Sequence, residues 1–170
     1  MDFKIRQTAP EDFFEVYQVI KTAFETAEHS DGDEQNFAVR LREGDTYIPE
    51  LDLVAVSDGI ITGHIMFTRT SVTKPDESNF ISLMVAPLSV LSAYRNKGIG
   101  RSLMQEGIRI AKEMGYTSVF LLGDPEYYQR LGFHPAAEYG IRHESFPAQY
   151  VQVNEFVPGS LDGVSGYIRF

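Results

Sequence analysis

The chain has 170 residues, of which 43% are hydrophobic and 23% charged, a composition typical of a folded protein and not of a disordered one. Its 15 Lys and Arg against 24 Asp and Glu give a net charge of −9, which argues against a general nucleic-acid binder. The absence of cysteine excludes disulfides, thiolate metal sites and a cysteine nucleophile.

This length suits one domain over residues 1–170. No apolar run reaches the roughly 20 residues of a membrane span, and the first residues lack the apolar stretch of a signal peptide. We therefore expect a cytoplasmic protein that binds neither nucleic acid nor a membrane.

The first part of the chain predicts a strand followed by two helices. Alternation over Phe3–Arg6 predicts the strand, and Thr8 with Glu11 three residues later is a capping-box pattern that predicts a helix start. The apolar residues of this helix recur at helical spacing: Phe13, Val16, Tyr17, Ile20 and Phe24. The polar stretch His29–Glu34 predicts a loop. A short second helix follows, with two side chains expected to face inward: Phe37 and Leu41.

The middle of the chain predicts three strands. Leu53–Val56 is the first, and Asp58-Gly59 predicts a tight hairpin turn into a long return strand, Ile60–Val72. The third, Phe80–Leu91, contains Pro87. Because proline has no N–H to donate, we expect a bulge there, where pairing fails.

The second half predicts two helices and three strands. A helix begins at Gly98 and runs to about Met114, where Gly115 stops it. Its apolar face is expected to carry Leu103, Gly107, Ile110, Ala111 and Met114. The apolar run Ser118–Leu122 is typical of a buried parallel strand. A short helix and two strands complete the set: Pro125–Leu131, Tyr150–Val157 and Gly166–Phe170. This order predicts an α/β fold, with a central mixed sheet flanked by helices on both faces.

Two glycines lie between the third of these strands and the long helix. They let the backbone approach a ligand, and the free N–H groups and dipole of the helix start favour an anion. Three cations stand here in an otherwise acidic chain, so a phosphate or pyrophosphate is predicted; the alternative is a tight turn with a solvated basic edge. The spacing matches neither a Walker loop nor a dinucleotide fingerprint. The candidate residues are Arg95, Asn96, Lys97, Gly98, Ile99, Gly100, Arg101 and Ser102.

The run from Ala86 to Gly100 closely resembles the acetyl-CoA motif of the GCN5-related N-acetyltransferases (GNAT): Arg or Gln, two residues, Gly, one residue, then Gly or Ala. Gly123–Phe133 is similar to the Tyr-x-x-x-Gly-Phe segment of the same superfamily. The resemblance covers most of the chain from Ile5 onward and is greatest to the YhbS-like branch of predicted bacterial acetyltransferases.

This resemblance implies the acyl-CoA N-acyltransferase fold, in which the fourth and fifth strands splay apart. It implies that pantetheine pairs with the backbone of Leu88, Ser89 and Val90, and that the N–H groups from Arg95 to Ser102 hold the pyrophosphate. A backbone N–H near Val90 is implied to polarise the thioester carbonyl, as in an oxyanion hole.

Tyr128 matches the tyrosine that, in the family, protonates the departing CoA thiolate. A phenol with a pKa near 10 suits a general acid for this step. Packing on the sheet is the competing interpretation of Tyr128, and Tyr127 is the rival residue if the alignment is shifted by one. Leu121 stands where many relatives place an asparagine that contacts the cofactor.

The resemblance fixes no general base. Asp124, after the fifth strand, and His64, on a central strand, are the candidates, although a hydrogen-bonded core histidine is the competing interpretation of His64. In relatives the loop between the first two helices lines the acceptor side, so His29, Asp33 and Glu34 either bind a cationic amine or are solvated charges.

The sequence thus predicts a transferase that moves the acetyl group of acetyl-CoA, its cosubstrate, to a primary amine by direct attack in a ternary complex. The acceptor is a small molecule or a peptide or protein amine. No metal is predicted, because the four histidines show no ligand spacing. A non-catalytic acyl-CoA-binding module and a transferase for longer acyl groups are the alternatives. The protein is expected to be a monomer or a homodimer.

Overall fold

The computed structural model describes residues 2–27 and 30–170. β1 (Lys4–Gln7) is followed by α1 (Phe13–Phe24) and α2 (Glu34–Arg42). The remaining elements, in chain order, are β2 (Tyr47–Ser57), β3 (Ile60–Thr73), β4 (Asn79–Val90), α3 (Ile99–Glu113), β5 (Val119–Leu122), α4 (Pro125–Gln129), β6 (His134–Pro135), β7 (Ile141–Arg142), β8 (Val151–Asn154) and β9 (Gly166–Ile168).

The nine strands found in the described residues form one mixed sheet in the order β1-β2-β3-β4-β5-β8-β6, and β9 pairs with β3 and β7. β2 pairs antiparallel with both β1 and β3, whereas β4 and β5 pair parallel. The predicted α/β fold with a mixed sheet is confirmed. The two-residue strands β6 and β7 were not predicted, because segments this short carry no periodic signal.

The chain divides into two compact units. The first comprises the residues up to Thr68 together with Ala86–Ile110, and the second comprises Arg69–Val85 and Ala111–Phe170. β3, β4 and α3 each contribute residues to both units. The expectation of a single domain remains a prediction.

In the first unit, α1 and α2 cover one face of the β2–β3 hairpin. The turn has left-handed φ angles at Asp58 (51°) and Gly59 (77°), as the Asp-Gly pair predicts. The predicted face of α1 is confirmed, but the inward position of Phe37 is wrong, because Phe37 is 37% exposed and Ala38 is buried instead. The cluster comprises Val16, Val19, Ile20, Ala38, Val54, Ile61 and Met66, with Leu41 and Leu91 packed against it.

The start of the first helix differs from the prediction. Thr8 does not cap it, since its Oγ1 has no hydrogen-bond partner among the described residues. Its N–H donates to the Asp52 carbonyl oxygen on β2 (2.8 Å). A short 3₁₀ turn, Pro10–Asp12, comes before α1, and the Asp12 carboxylate accepts the Ala9 N–H at 2.8 Å. The cap therefore lies one residue later than Thr8-x-x-Glu11 suggests.

Within the first unit, α3 packs closely on β3 at two glycines, Gly107 on the helix and Gly63 on the strand. A Cβ on Gly107 would lie 2.6 Å from Cζ of the buried Phe67 ring. Nearer the helix start, a Cβ on Gly63 would lie 2.9 Å from Ile99 Cγ2 and 3.1 Å from Leu103 Cδ1. These close approaches fix α3 against the sheet.

Replacing Gly107 with alanine is expected to destabilise the protein by about 1–3 kcal/mol, because the new methyl group overpacks the Phe67 ring. Urea unfolding measures this as a lower midpoint. Gln105→Ala, at an exposed position of the same helix, is the control and should stay within about 0.5 kcal/mol of the parent. A Gly107→Ala variant as stable as the parent would contradict the packing described here.

In the second unit, β5 pairs with β4 at two positions, Leu83 with Val119 and Met84 with Phe120. β5 pairs with β8 along its whole length. β4 itself continues past the cis Ala86–Pro87 peptide bond to Val90, as predicted, while the bulge at Pro87 stays a prediction. The core of this unit comprises Val72, Phe120, Ala136, Ile141, Val151, Val153, Leu161, Val164 and Ile168.

The end of α3 differs from the prediction. Met114, predicted to face inward, is 43% exposed because α3 ends one residue earlier, at Glu113.

Among the described residues, no helix has the length and apolar character needed to cross a membrane. The cytoplasmic location remains a prediction.

Candidate active site

The segment between β4 and α3 turns twice through the left-handed region. A 3₁₀ turn (Ser92–Tyr94) follows β4, and then Asn96 (φ 61°) and Gly98 (φ 84°) redirect the chain before α3 begins at Ile99. At Gly98 the positive φ favours glycine over any side chain. Ile99 is buried beneath the turn, and this anchors the start of the helix.

The start of α3 presents a row of unused N–H groups. The Ser102 N–H donates to the Gly98 carbonyl oxygen at 3.0 Å, but the five N–H groups from Lys97 to Arg101 donate to no acceptor of the described chain. The side chains of Lys97 and Arg101 are exposed beside them. Free N–H groups, the positive end of the helix dipole and two cations together suit a phosphate-like anion.

The charge of Arg95 suggests that it binds an anion, but its side chain forms hydrogen bonds to backbone carbonyl oxygens of the protein. Its Nε donates to the Val90 carbonyl oxygen (3.0 Å) and its Nη2 to the Ala23 carbonyl oxygen (2.8 Å). Its own N–H donates to the Ser92 carbonyl oxygen at 3.3 Å. Arg95 therefore ties the segment to the end of β4 and to α1, a role that the sequence interpretation missed.

The end of β4 contains the residues predicted to face pantetheine. Leu88 and Val90 are partly exposed, whereas Ser89 is buried and its Oγ has no hydrogen-bond partner in the described chain. The Leu91 N–H donates to the Thr62 carbonyl oxygen at 2.9 Å, which aligns the end of β4 with β3.

Replacing Gly63 with alanine is expected to weaken acetyl-CoA binding by about tenfold or more, because a Cβ there would press on Ile99 and displace the α3 start. Isothermal titration with acetyl-CoA measures the change. Gly107→Ala, farther along α3, serves as the control and should lose stability with a smaller loss of affinity. Equal losses of affinity in the two variants would contradict this account.

Tyr128 lies on α4, whose N-cap is Asp124, with Oδ1 accepting the Glu126 N–H at 3.0 Å. The Tyr128 ring makes edge contacts with Phe133 and Tyr127, at centroid distances of 5.8 and 4.9 Å. A side chain on Gly123 would collide with the Tyr128 ring, so this glycine makes room for it. Tyr128 is partly buried, whereas Tyr127 is 44% exposed.

Burial raises the pKa of the Tyr128 phenol well above its usual value, and Tyr127 and Asp124 raise it further. Tyr128 therefore keeps its proton throughout the neutral range, as a general acid must. The Asp124 carboxylate is exposed and is engaged by the α4 cap. Leu121 is buried and pairs with Gln152 on β8.

His64 lies in a buried polar network of the first unit. Its Nε2 lies 2.7 Å from Asp52 Oδ1, and both side chains are fully buried. Asp52 Oδ2 accepts from Arg42 Nε (3.1 Å) and from the Tyr47 hydroxyl (2.7 Å). This geometry matches the core-histidine interpretation, and on its own it gives His64 a structural role.

The charges in this network depend on one another. Burial alone would raise the pKa of Asp52, but the hydrogen bond and charge of His64, with the charge of Arg42, hold it well below its usual range. Burial and the hydrogen bond to Asp52 raise the pKa of Tyr47. Asp52, Arg42 and Tyr47 were missed from the sequence, although a single Asp inside the apolar run Leu51–Val56 is a signal of a paired charge.

Two of the three acceptor-side candidates lie in the described chain, Asp33 at the N-cap of α2 and Glu34 at its first position. Asp33 Oδ2 pairs with Arg40 Nη2 at 3.0 Å, and Glu34 accepts the Ser30 hydroxyl at 2.7 Å. His29 lies outside the described residues. No group of three or more potential metal ligands occurs within residues 2–27 and 30–170.

Comparison with known proteins identifies the family. A family model described as Acetyltransferase (GNAT) domain matches residues 4–136. The uncharacterized N-acetyltransferase YjhQ of Escherichia coli K12 is 32% identical over 148 residues, which cover 87% of this chain and 76% of YjhQ. The uncharacterized N-acetyltransferase YhbS of the same strain is 34% identical over 123 residues, 71% of each chain.

Two crystal structures agree with these matches. The E. coli YhbS structure in complex with CoA has a TM-score of 0.87 and 29% identity, and the match covers 99% of this chain and 89% of YhbS. A GNAT family acetyltransferase from Brucella melitensis in complex with acetyl-CoA has a TM-score of 0.81 and 30% identity, with 99% and 96% covered. The resemblance found in the sequence motifs is confirmed, and the chain belongs to the GNAT acetyltransferase family.

Proposed function

We propose that this protein is an acetyl-CoA-dependent N-acetyltransferase that acetylates a primary amine. The observation that carries the proposal is the row of unused N–H groups from Lys97 to Arg101, in the motif that resembles the family's acetyl-CoA motif. Two relatives of the same fold, YhbS and the Brucella protein, were crystallised with CoA and with acetyl-CoA.

In this proposal the pyrophosphate of acetyl-CoA binds the α3 start. The N–H groups of residues 97–101 donate to its oxygens, and Lys97 and Arg101 supply cations beside them. Arg95 acts indirectly, since its guanidinium is held by the carbonyls of Val90 and Ala23 and keeps the segment in place. The backbone of Leu88–Val90 binds the pantetheine arm, and an N–H near Val90 polarises the thioester carbonyl.

Tyr128 acts as the general acid. The amine attacks the thioester carbon, the C–S bond breaks, and the departing thiolate takes the phenol proton. The raised pKa of Tyr128 keeps this proton available at neutral pH. Direct attack in a ternary complex needs no covalent enzyme intermediate, and the chain has no cysteine to form one.

The acceptor is proposed as a cationic small molecule or a peptide amine, because the net charge of −9 biases encounters toward cations. The test is a screen of polyamines, amino acids and short basic peptides with acetyl-CoA, following CoA thiol release and the acetylated product by mass spectrometry. Amine-dependent product formation supports the proposal. Binding of acetyl-CoA without turnover of any amine would favour the non-catalytic module instead.

Competition among acetyl-, propionyl- and succinyl-CoA in the same assay decides the acyl group. We expect acetyl-CoA to give the highest kcat/KM. A clear preference for succinyl-CoA would retain the transferase and replace the acyl specificity proposed here.

A further inference from the structure

A groove with a volume of about 560 Å³ lies between the two helices of the first unit, α1 and α2. This volume falls in the range of small-molecule sites in proteins, roughly 300–1,000 Å³. Each helix contributes side chains from one of its faces. Those from α1 are Phe13, Phe14, Tyr17 and Gln18. Those from α2 are Val39, Arg42 and Glu43.

Two contacts between the helices fix the groove. The Tyr17 hydroxyl donates to Asn36 Oδ1 at 2.9 Å, and the Arg42 Cζ lies 4.2 Å from the centroid of the Phe13 ring. Both contacts join one helix directly to the other. The groove is therefore formed by the fold itself and needs no ligand to hold it open.

Most of the groove surface is apolar. Phe14 is 77% exposed, and Phe13 and Val39 are each partly exposed. Folding thus leaves a large aromatic side chain in water beside two other apolar side chains. A ligand that covers them removes this surface from water, which favours a ligand with an apolar body.

Arg42 places a cation at the groove whose hydrogen-bonding capacity is only partly used. Its side chain is 10% exposed, and its Nε donates to Asp52 Oδ2 at 3.1 Å. Its Nη2 is buried and has no hydrogen-bond partner in the described chain, which is rare for a buried donor. The Asp52 carboxylate also accepts from the Tyr47 hydroxyl and faces His64 Nε2, so it is shared among three partners.

A carboxylate is the chemical group that suits this guanidinium. Its two oxygens match two guanidinium nitrogens, and such charge-assisted pairs are stronger than neutral hydrogen bonds. Glu43, the other charged residue of the groove, is exposed, and its negative charge repels a second carboxylate. The acid end of a ligand is therefore expected at Arg42, with the apolar body along Phe14.

We propose that the groove between α1 and α2 binds a small carboxylic acid with an aromatic or aliphatic body. The carboxylate pairs with Arg42, and the body packs on Phe13, Phe14 and Val39. This site differs from the one proposed for acetyl-CoA, because its lining comes from residues 13–18 and 39–43 and not from residues 88–102. The inference does not rest on the proposed transferase activity.

The test is an NMR titration of the ¹⁵N-labelled protein with 4-phenylbutyrate, and 4-phenylbutyramide is its uncharged match. We expect the acid to shift the amide signals of residues 13–18 and 39–43 to saturation. The amide should bind about 10–100-fold more weakly, because it loses the charged hydrogen bonds to Arg42. Equal affinity for the two probes would overturn the pairing with Arg42, and no saturable shift with the acid would overturn the site.

Gln18→Trp tests the location of the site. Gln18 is exposed and lines the groove, so an indole ring there fills the groove without entering the core. Gln105→Trp is the matched control, because it adds the same ring at an exposed position of α3. We expect Gln18→Trp to raise the Kd for 4-phenylbutyrate by about tenfold or more, and Gln105→Trp to keep the parent value. The same Kd in both variants would overturn the location.

A change at Gln18 is preferred to one at Arg42, which would also remove a partner of buried Asp52. Two other outcomes of the titration would contradict the inference. Probe-induced shifts at residues 97–101 in place of the groove would mean that the carboxylate binds the start of α3. Groove signals that broaden with protein concentration, without any probe, would mean that a second copy of the chain covers Phe14.

Discussion

Replacing Tyr128 with phenylalanine is expected to lower kcat for acetyl transfer by about 10²–10⁴-fold, the usual contribution of a positioned general acid. Affinity for acetyl-CoA should stay the same, because the lost hydroxyl acts on the leaving thiolate and the ring keeps its contacts with Phe133 and Tyr127. Steady-state kinetics with the best amine of the screen, together with calorimetric titration of acetyl-CoA, give the two numbers.

Tyr127→Phe is the matched control for this experiment. Tyr127 is the neighbouring, more exposed tyrosine, and removal of its hydroxyl should change kcat little. If Tyr127→Phe shows the large loss and Tyr128→Phe does not, the alignment of the family tyrosine is shifted by one residue. If neither hydroxyl matters, solvent protonates the thiolate and the general-acid role is wrong.

The raised pKa of Tyr128 also predicts how the reaction rate depends on pH. Burial disfavours the phenolate, so the group stays protonated above the usual value near 10. The rate should therefore not fall between about pH 7 and 9.5 through loss of the Tyr128 proton. An alkaline limb in that window that disappears in Tyr128→Phe would contradict this assignment of the pKa.

The second large effect is on stability. Replacing Asp52 with asparagine should lower the free energy of unfolding by about 3–5 kcal/mol. The substitution removes the carboxylate that pairs with buried Arg42 and His64, so their buried donors lose their charged partner. For a chain of this size the melting temperature should fall by roughly 6–20 °C. Calorimetry or circular dichroism at pH 7 measures the fall.

The pH dependence of this effect has a definite sign. The folded pKa of Asp52 lies below its unfolded value, so its stabilisation is complete above about pH 4 to 5 and is lost as the pH falls toward the folded pKa. The stability difference between parent and Asp52→Asn should therefore shrink in acid. Asp33→Asn, at an exposed ion pair, is the control and should leave the melting temperature unchanged. A difference that is constant down to pH 2 would contradict the role given to Asp52.

Local sequence signals predicted the elements that local chemistry determines. Asp58-Gly59 has the two left-handed residues that its turn requires, and the apolar run at 118–122 became the parallel strand β5. The capping box predicted at Thr8 is absent, and Thr8 instead bonds through its N–H to the Asp52 carbonyl oxygen on β2, a partner far away in the sequence. A pattern of four residues contains no information about such a partner.

The candidate site was predictable to a similar degree. Glycine spacing and the resemblance located residues 95–102, because backbone approach to an anion needs glycine at fixed positions. The bonds of Arg95 to Val90 and Ala23 could not be predicted, nor could the convergence of Arg42, Tyr47 and Asp52 on one buried point. Each depends on contacts between elements far apart in the sequence.

The melting temperature with acetyl-CoA, CoA or ATP at large excess shows whether the protein binds acetyl-CoA, on which the proposed transferase activity depends. A ligand at about 100 times its Kd adds about 2.7 kcal/mol, which is a rise of roughly 5–11 °C for a protein of this size. We predict this rise with acetyl-CoA and CoA, a small one with ATP, and a reduced one in Gly63→Ala. No rise with either CoA species would contradict the proposal that residues 97–101 hold the pyrophosphate, and the proposed transferase activity with it.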